Sequence, residues 1–246
     1  MFISNQNIRL LCSLSWLLML SFSFSFSQSN KTYFHELETQ GIPFNKKVNV
    51  VFVDSYGYLW IGSDAGLYRY DGYNLISYQL DVFNPFSIPN NGINSIIEDD
   101  YKNLWIGSES FLIHFNRKEK KFKRFYKNIT STVLSKSANG EIWANLKNTG
   151  LVKIKPSKGT ADFDAKFNYT NSSDLNRIER KINSLVEDNF GRNWIGTPKG
   201  IYRLNNKNQY IETNFKKNIK SIQTYQNNKI IALTTTGFFI LGYNKT

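Results

Sequence analysis

The side chains in this sequence with the reach to do chemistry fall in a few places. Glu98-Asp99-Asp100 and Glu187-Asp188 set carboxylates side by side, and two carboxyl groups, one protonated and one ionised, are what a glycosidase uses to break its bond. His35 and His114 are the two histidines, and a lyase reaction would need such a group as its general base. Asp54, Asp99 and Asp188 offer oxygens of the kind calcium takes, yet each stands apart from the clustered donors of a calcium loop. The run Arg117-Lys118-Glu119-Lys120-Lys121-Phe122-Lys123-Arg124-Phe125-Tyr126-Lys127 interleaves cations with rings, a composition suited to nucleic acid or to an anionic glycan. Trp60, Trp105, Trp143 and Trp194 offer flat faces on which sugars stack. With one cysteine, Cys12, and no Cys-x-x-Cys pair, a disulfide framework is excluded and a structural zinc site lacks ligands. No metal or other cofactor is expected.

Which of these chemistries is real depends on the elements that position the residues. The chain has 246 residues, 41% apolar, 20% charged and 15% aromatic, enough for one or two globular domains and unlike a disordered, collagen-like or multi-pass membrane chain. Past Trp16, its tryptophans recur roughly every 40–50 residues, a spacing typical of propeller blades, each inside the same phrase. The first phrase starts at Val48 and carries Asp54, Gly57, Trp60, Gly62, Ser63 and Gly66 before Leu67-Tyr68-Arg69-Tyr70-Asp71. The second, from Ile93, keeps Asp99, Trp105, Gly107 and Ser108 but has Lys102 and Phe111 in two glycine places. The third, near 131, retains Gly140, Trp143 and Gly150, with Asn145 for a glycine. The fourth, from Ile182, holds Asp188, Gly191, Trp194, Gly196, Thr197 and Gly200. A fifth, from Ile219, puts Ile231 in the tryptophan place, Thr234 in the Ser/Thr place and Gly237 in the second glycine place.

Each phrase reads as consecutive strands. Alternating residues such as Ile93-Asn94-Ser95-Ile96-Ile97-Glu98 run into Asp-x-x-Gly, a turn in which the Asp bonds backbone amides and the Gly takes positive φ. A second strand ends in another tight turn, a third follows, and segments such as Leu75 to Leu80 or Lys121 to Tyr126 make a fourth. Four strands per unit with one aromatic anchor predict an all-β chain, a β-propeller with five recognisable repeats over 28–246. On that frame the tryptophans become packing between blades and the aspartates become turn residues. The paired carboxylates lie at repeat-equivalent turns, whereas an active site breaks repeat symmetry, so a non-enzymatic chain is expected. His114 alternates with Ile113 and Phe115 in a third strand, and the basic run becomes a charged outer hairpin that protects an edge. Ligand contacts are then expected in the non-equivalent loops, Asp81 to Asn91 and Lys155 to Lys181, because function on repeat scaffolds collects in insertions.

The formal net charge of +12 would favour nucleic acid, but the N-terminus argues for export. Arg9 is the one charge in residues 1 to 9, and an apolar run from Leu10 to Phe26 follows with no acidic residue before Glu36. This is the plan of a signal peptide over 1–27, cleaved near Ser27. It predicts a periplasmic or secreted protein with no nucleic-acid partner.

The phrases Asp-x-x-Gly-x-x-Trp-Ile-Gly-[Ser/Thr]-x-x-Gly-[Leu/Ile]-Tyr-Arg resemble the two-component-regulator propeller repeat of bacterial hybrid sensor histidine kinases. Tyr70-Asp71-Gly72-Tyr73 and Phe83-Asn84-Pro85-Phe86-Ser87-Ile88-Pro89-Asn90-Asn91-Gly92-Ile93 resemble the junction between that family's first two blades. The resemblance implies a periplasmic sensor of glycans or their breakdown products, with membrane-linked kinase and output domains that this chain does not show. It also implies rings of about seven blades, so five repeats are expected to form an incomplete arc. The alternative is a closed five-bladed ring in which Thr32 to Leu37, containing His35, supplies the missing fourth strand. A secreted propeller hydrolase or lyase, and a structural protein-interaction propeller, are the competing functional classes.

Overall fold

The computed structural model describes residues 46–127, 131–146, 150–156, 168–169, 181–205, 210–226 and 229–242. The expected signal peptide, the Thr32 to Leu37 stretch with His35, and most of the Lys155 to Lys181 loop lie outside the described residues. The chain divides into Met1–Gln40 and Gly41–Thr246, and the strands described below all belong to the second unit.

All regular structure among the described residues is antiparallel β-sheet, in five separate sheets. Blade 1 contains β1 (Val48–Val53), β2 (Leu59–Ser63), β3 (Gly66–Tyr70) and β4 (Leu75–Tyr78). Blade 2 contains β5 (Ile93–Glu98), β6 (Leu104–Ser108), β7 (Phe111–Asn116) and β8 (Lys121–Lys127). Blade 3 contains β9 (Ser131–Lys136), β10 (Ile142–Leu146), β11 (Gly150–Ile154) and β12 (Asn168–Tyr169). Blade 4 contains β13 (Ser184–Glu187), β14 (Asn193–Thr197), β15 (Gly200–Leu204) and β16 (Tyr210–Glu212). Blade 5 has three described strands, β17 (Ile219–Tyr225), β18 (Lys229–Thr234) and β19 (Gly237–Gly242). Each blade is a meander in which neighbours in sequence are neighbours in the sheet.

Two local devices make the hairpins. In the first turn the Asp54 carbonyl accepts from the Gly57 amide at 3.0 Å, and the same bond recurs at Asp99 and Lys102, Ser137 and Gly140, and Asp188 and Gly191. The residue closing that turn is left-handed, at φ 83° for Gly57 and 68° for Lys102, which is free for glycine and strained for lysine. In the second turn the hydroxyls of Ser63, Ser108, Thr197 and Thr234 donate to the carbonyls of Gly66, Phe111, Gly200 and Gly237.

Apolar stacking between consecutive blades supplies the core. Trp60 and Leu67 of blade 1 pack with Ile93, Ile96, Ile106 and Phe115 of blade 2. Trp105 and Leu112 of blade 2 meet Ile142, Ala144 and Val152 of blade 3. Trp143 and Leu151 then meet Leu185 and Ile195, and Trp194 and Ile201 meet Ile222 and Ala232. A Cβ on Gly62 would sit 2.6 Å from Ile93, and one on Gly196 would sit 2.6 Å from Ile219. The glycine after Trp-Ile therefore lets the next blade's first strand approach. The forward face of blade 5 differs: Leu233 holds that glycine place, and Leu233, Phe238 and Ile240 are exposed.

Candidate functional site

The residues expected to structure the turns also join them to the tryptophans. Asp54 Oδ1 accepts from the amides of Tyr56 and Tyr58, both at 2.9 Å, while its Oδ2 accepts the Trp60 indole at 2.6 Å. Asp99 makes the same set with Tyr101, Asn103 and Trp105, and Asp188 with Phe190, Arg192 and Trp194. One carboxylate thus satisfies a hairpin turn and the indole six residues later. Burial pushes the Asp54 and Asp188 carboxyls up, but hydrogen bonds from Trp60 and Trp194, from backbone amides and from Arg117 and Arg192 outweigh it and hold both below the usual aspartate value.

Blade 3 breaks the pattern. Ser137 stands in the aspartate place, too short to reach, and both Ser137 Oγ and Trp143 Nε1 are buried without a hydrogen-bond partner. Replacing Ser137 with Asp would return an acceptor to this indole, as in the other three blades. We expect Ser137→Asp to stabilise the protein by about 1 kcal/mol, the net worth of a satisfied buried hydrogen bond, as an increased urea midpoint with unchanged slope.

The paired carboxylates are likewise taken up by packing. Glu98 accepts the Ser55 amide at 2.8 Å and the Ser55 hydroxyl at 2.5 Å, clasping the turn of the preceding blade. Glu187 does the same to the Ala138 amide of blade 3 at 2.9 Å. Asp100 pairs with Lys136 at 2.7 Å. His114 is buried in β7, its ring 5.0 Å from that of Trp105. Among the described residues no group of three or more His, Cys, Asp or Glu is placed to hold a metal ion.

Of the two candidate loops, Asp81 to Asn91 is described. Asp81, Asn84, Asn90 and Asn91 each accept a backbone amide through their side chains. Ile88 is fully buried in the core between blades 1 and 2, and the Phe86 carbonyl accepts from Phe122 of β8. The loop tip leaves Val82 and Phe83 open to solvent. Its Pro85 and Phe86, with Lys121, Lys123 and Arg124, line a hollow of about 550 Å³.

A larger cleft of about 630 Å³ opens between blades 1 and 2, where the Asp54 and Asp99 turns meet the β7–β8 turn. The rings of Tyr56, Tyr58, Tyr78 and Tyr101 line it together with Arg69, Lys102, Arg117, Lys118 and Lys120. Arg117 bonds Asp54 at 2.7 Å and Glu98 at 3.3 Å, and lies 5.1 Å from the Tyr56 ring centre. Arg69 lies 4.7 Å over the Tyr58 ring. Burial raises the Tyr78 pKa, with Arg69 and Arg117 opposing it, so its phenol stays protonated and available as a donor at neutral pH. The sequence pattern placed the basic run on an outer hairpin. The fold places it there, on the β7–β8 hairpin at the outer side of blade 2, and its first members also line this cleft, with Arg117 reaching Asp54 across the blade junction and Glu98 within its own blade. Tyr56 and Tyr101 sit at a variable position of the Asp turns and Tyr58 directly after the first of them, and their aromatic character was the one signal of this site in the sequence.

The family model described as two component regulator propeller matches residues 41–65 and 87–110. Those two stretches are similar to two component regulator propeller repeats. The matched stretches hold the Asp54 to Trp60 and Asp99 to Trp105 hairpins, the two whose turns form the cleft. The extracellular domain of a hybrid two component system from B. thetaiotaomicron superposes with a TM-score of 0.68 at 20% identity, over 86% of this chain and 29% of that one. Virginiamycin B lyase from Staphylococcus aureus follows at TM-score 0.62 and 14% identity, over 82% and 71%. A gluconolactonase from Xanthomonas campestris matches at 0.55 and 10%, over 79% and 71%. These likenesses establish a β-propeller arc. No curated protein matches the sequence.

Proposed function

We propose that this chain is an exported ligand-binding propeller, the sensing part of a hybrid two component system, and that it recognises glycans or their breakdown products in the cleft between blades 1 and 2. The observation that carries the reading is the set of tyrosine rings at that junction, with Tyr56 and Tyr101 exposed. Open aromatic faces beside hydrogen-bonding groups suit sugar rings, which are apolar on their faces and polar at their edges. The repeats and the fold shared with an extracellular sensor domain support the same reading. The single charge of residues 1 to 9 followed by the apolar run from Leu10 to Phe26 supports export with cleavage near Ser27, and signalling would pass to membrane-linked domains beyond this chain.

Titration calorimetry of the purified protein against a panel of neutral and acidic oligosaccharides tests the proposal. Tyr56→Ala and Tyr101→Ala are each expected to weaken binding by roughly tenfold, equivalent to about 1.4 kcal/mol. Tyr73→Ala, at a highly exposed ring outside the cleft, is expected to change nothing. Affinities indifferent to Tyr56 and Tyr101 would remove the cleft from the reading. Chromatography of the same mixtures for shortened or unsaturated products would expose the hydrolase or lyase alternative.

A further inference from the structure

Resting on the reading above, we infer that the cleft between blades 1 and 2 selects acidic oligosaccharides, with the Arg69 guanidinium and the Lys102, Lys118 and Lys120 ammonium groups receiving a carboxylate or sulfate of the sugar. Every charged side chain among the described residues lining the cleft is basic. The buried carboxylates behind it, Asp54 and Glu98, are engaged by Arg117, and Glu98 also meets Lys102 at 3.6 Å. Arg69, Lys118 and Lys120 have no ion-pair partner among the described residues, and Arg69 Nε is buried without a hydrogen-bond partner. The Asp71 carboxylate acts on Arg69 only at longer range, without an ion pair, and a guanidinium held over a ring with no anion in contact is preorganised for one, since stacking fixes its plane while its donors stay open. A one-signed cleft with low-dielectric walls also concentrates anions.

The backbone points the same way independently. Three non-glycine residues among those described have positive φ, and two of them, Lys102 at 68° and Lys120 at 55°, line this cleft. Both are lysines where glycine would cost nothing. For Lys102 the equivalent place in the other Asp-turn blades is Gly57 or Gly191, while Lys120 lies in the β7–β8 turn. Strain of this kind persists where a side chain is needed more than a relaxed backbone. A purely structural role for these lysines predicts that glycine there is harmless; a binding role predicts greater stability and weaker binding together.

The test titrates the protein with tetragalacturonate, its fully methyl-esterified neutral form, a sulfated disaccharide, inorganic sulfate and oligothymidylate. We expect tetragalacturonate or the sulfated sugar to bind at least about tenfold more tightly than the neutral ester, the worth of one charge-assisted contact, and to weaken as salt is raised. The preferred member of the two identifies carboxylate or sulfate as the group received. Arg69→Gln and the double variant Lys118→Gln/Lys120→Gly are each expected to remove most of that preference. Lys120→Gly alone should weaken acidic-sugar binding while leaving the melting temperature unchanged or raised. Equal affinity for the ester and the acid, with both sensitive to Tyr56→Ala, would overturn acidic selection and leave glycan recognition standing. Loss of all sugar binding would overturn both. Oligothymidylate or sulfate alone binding as tightly as the sugars would reassign the cleft to phosphate backbones or to simple anions. Acidic-sugar binding unmoved by Arg69→Gln and by Lys118→Gln/Lys120→Gly would place the site elsewhere and overturn the inference.

Discussion

Asp54→Ala is expected to destabilise the protein by about 3 to 5 kcal/mol, the cost of stripping one partner from a buried charge cluster. Four donors converge on this carboxylate: the amides of Tyr56 and Tyr58, the Trp60 indole and Arg117 Nη1. Alanine leaves the indole and the guanidinium facing an apolar methyl and loosens the turn. It also releases Arg117 from the blade junction, where Glu98 alone would hold it. Asp54→Asn should cost less, because its carbonyl oxygen can still accept from both amides while its amide group faces two donors. Urea unfolding of the three proteins at neutral pH checks the order. The acid limb carries a second signature. The Asp54 carboxyl is held below its ordinary value in the fold, so its contribution is fully present above the unfolded aspartate pKa of about 3.9 and is lost as pH falls from there through the folded value. The parent protein should therefore lose stability below about pH 4, and Asp54→Ala should lose less of it.

Equivalent places in the repeat should respond very differently to truncation. Leu67, Leu112 and Leu151 occupy the first position after the second turn in blades 1 to 3, and all three are fully buried against the next blade. Leu112→Ala is expected to cost about 3 to 5 kcal/mol, the lost transfer energy plus a cavity walled by rigid strands. Phe238 holds the same position in blade 5, yet it is 70% exposed. Phe238→Ala should cost less than about 0.5 kcal/mol, as for a surface site. The larger side chain should give the smaller effect, and equal losses at the two sites would show that the forward face of blade 5 is covered in solution. Chemical unfolding of the two variants beside the parent protein decides the matter.

How far the sequence speaks depends on the distance over which each interaction acts. The Asp-x-x-Gly turns, the Ser/Thr hydroxyl turns and the four-stranded meanders were legible because their bonds join residues two to six positions apart and recur with the period. Trp60, Trp105, Trp143 and Trp194 were legible as blade packing because a large ring at one place in each repeat has one economical use. The bond from each turn aspartate to the following indole was missed, although its spacing of six residues was in view. It requires knowing that both side chains lie on the same side of the hairpin end.

What only the tertiary structure decided lies between blades. Glu98 read as a residue of a repeat-equivalent turn, and the fold shows that it grips Ser55 of the blade before, 43 residues away. Arg117 looked like part of an outer basic strand and reaches Asp54 across 63 residues. Such contacts follow from how one twisted sheet settles on the next, and no period in the chain encodes them, because the residues that make them differ from repeat to repeat. The cleft belongs to the same class: Tyr56 comes from a turn of blade 1, Tyr101 from a turn of blade 2, and Lys118 and Lys120 from the β7–β8 turn of blade 2. By itself the sequence determined the blades, since each is closed by its own local bonds. The tertiary structure decided which side chains meet where two blades join, and the candidate ligand site is made there.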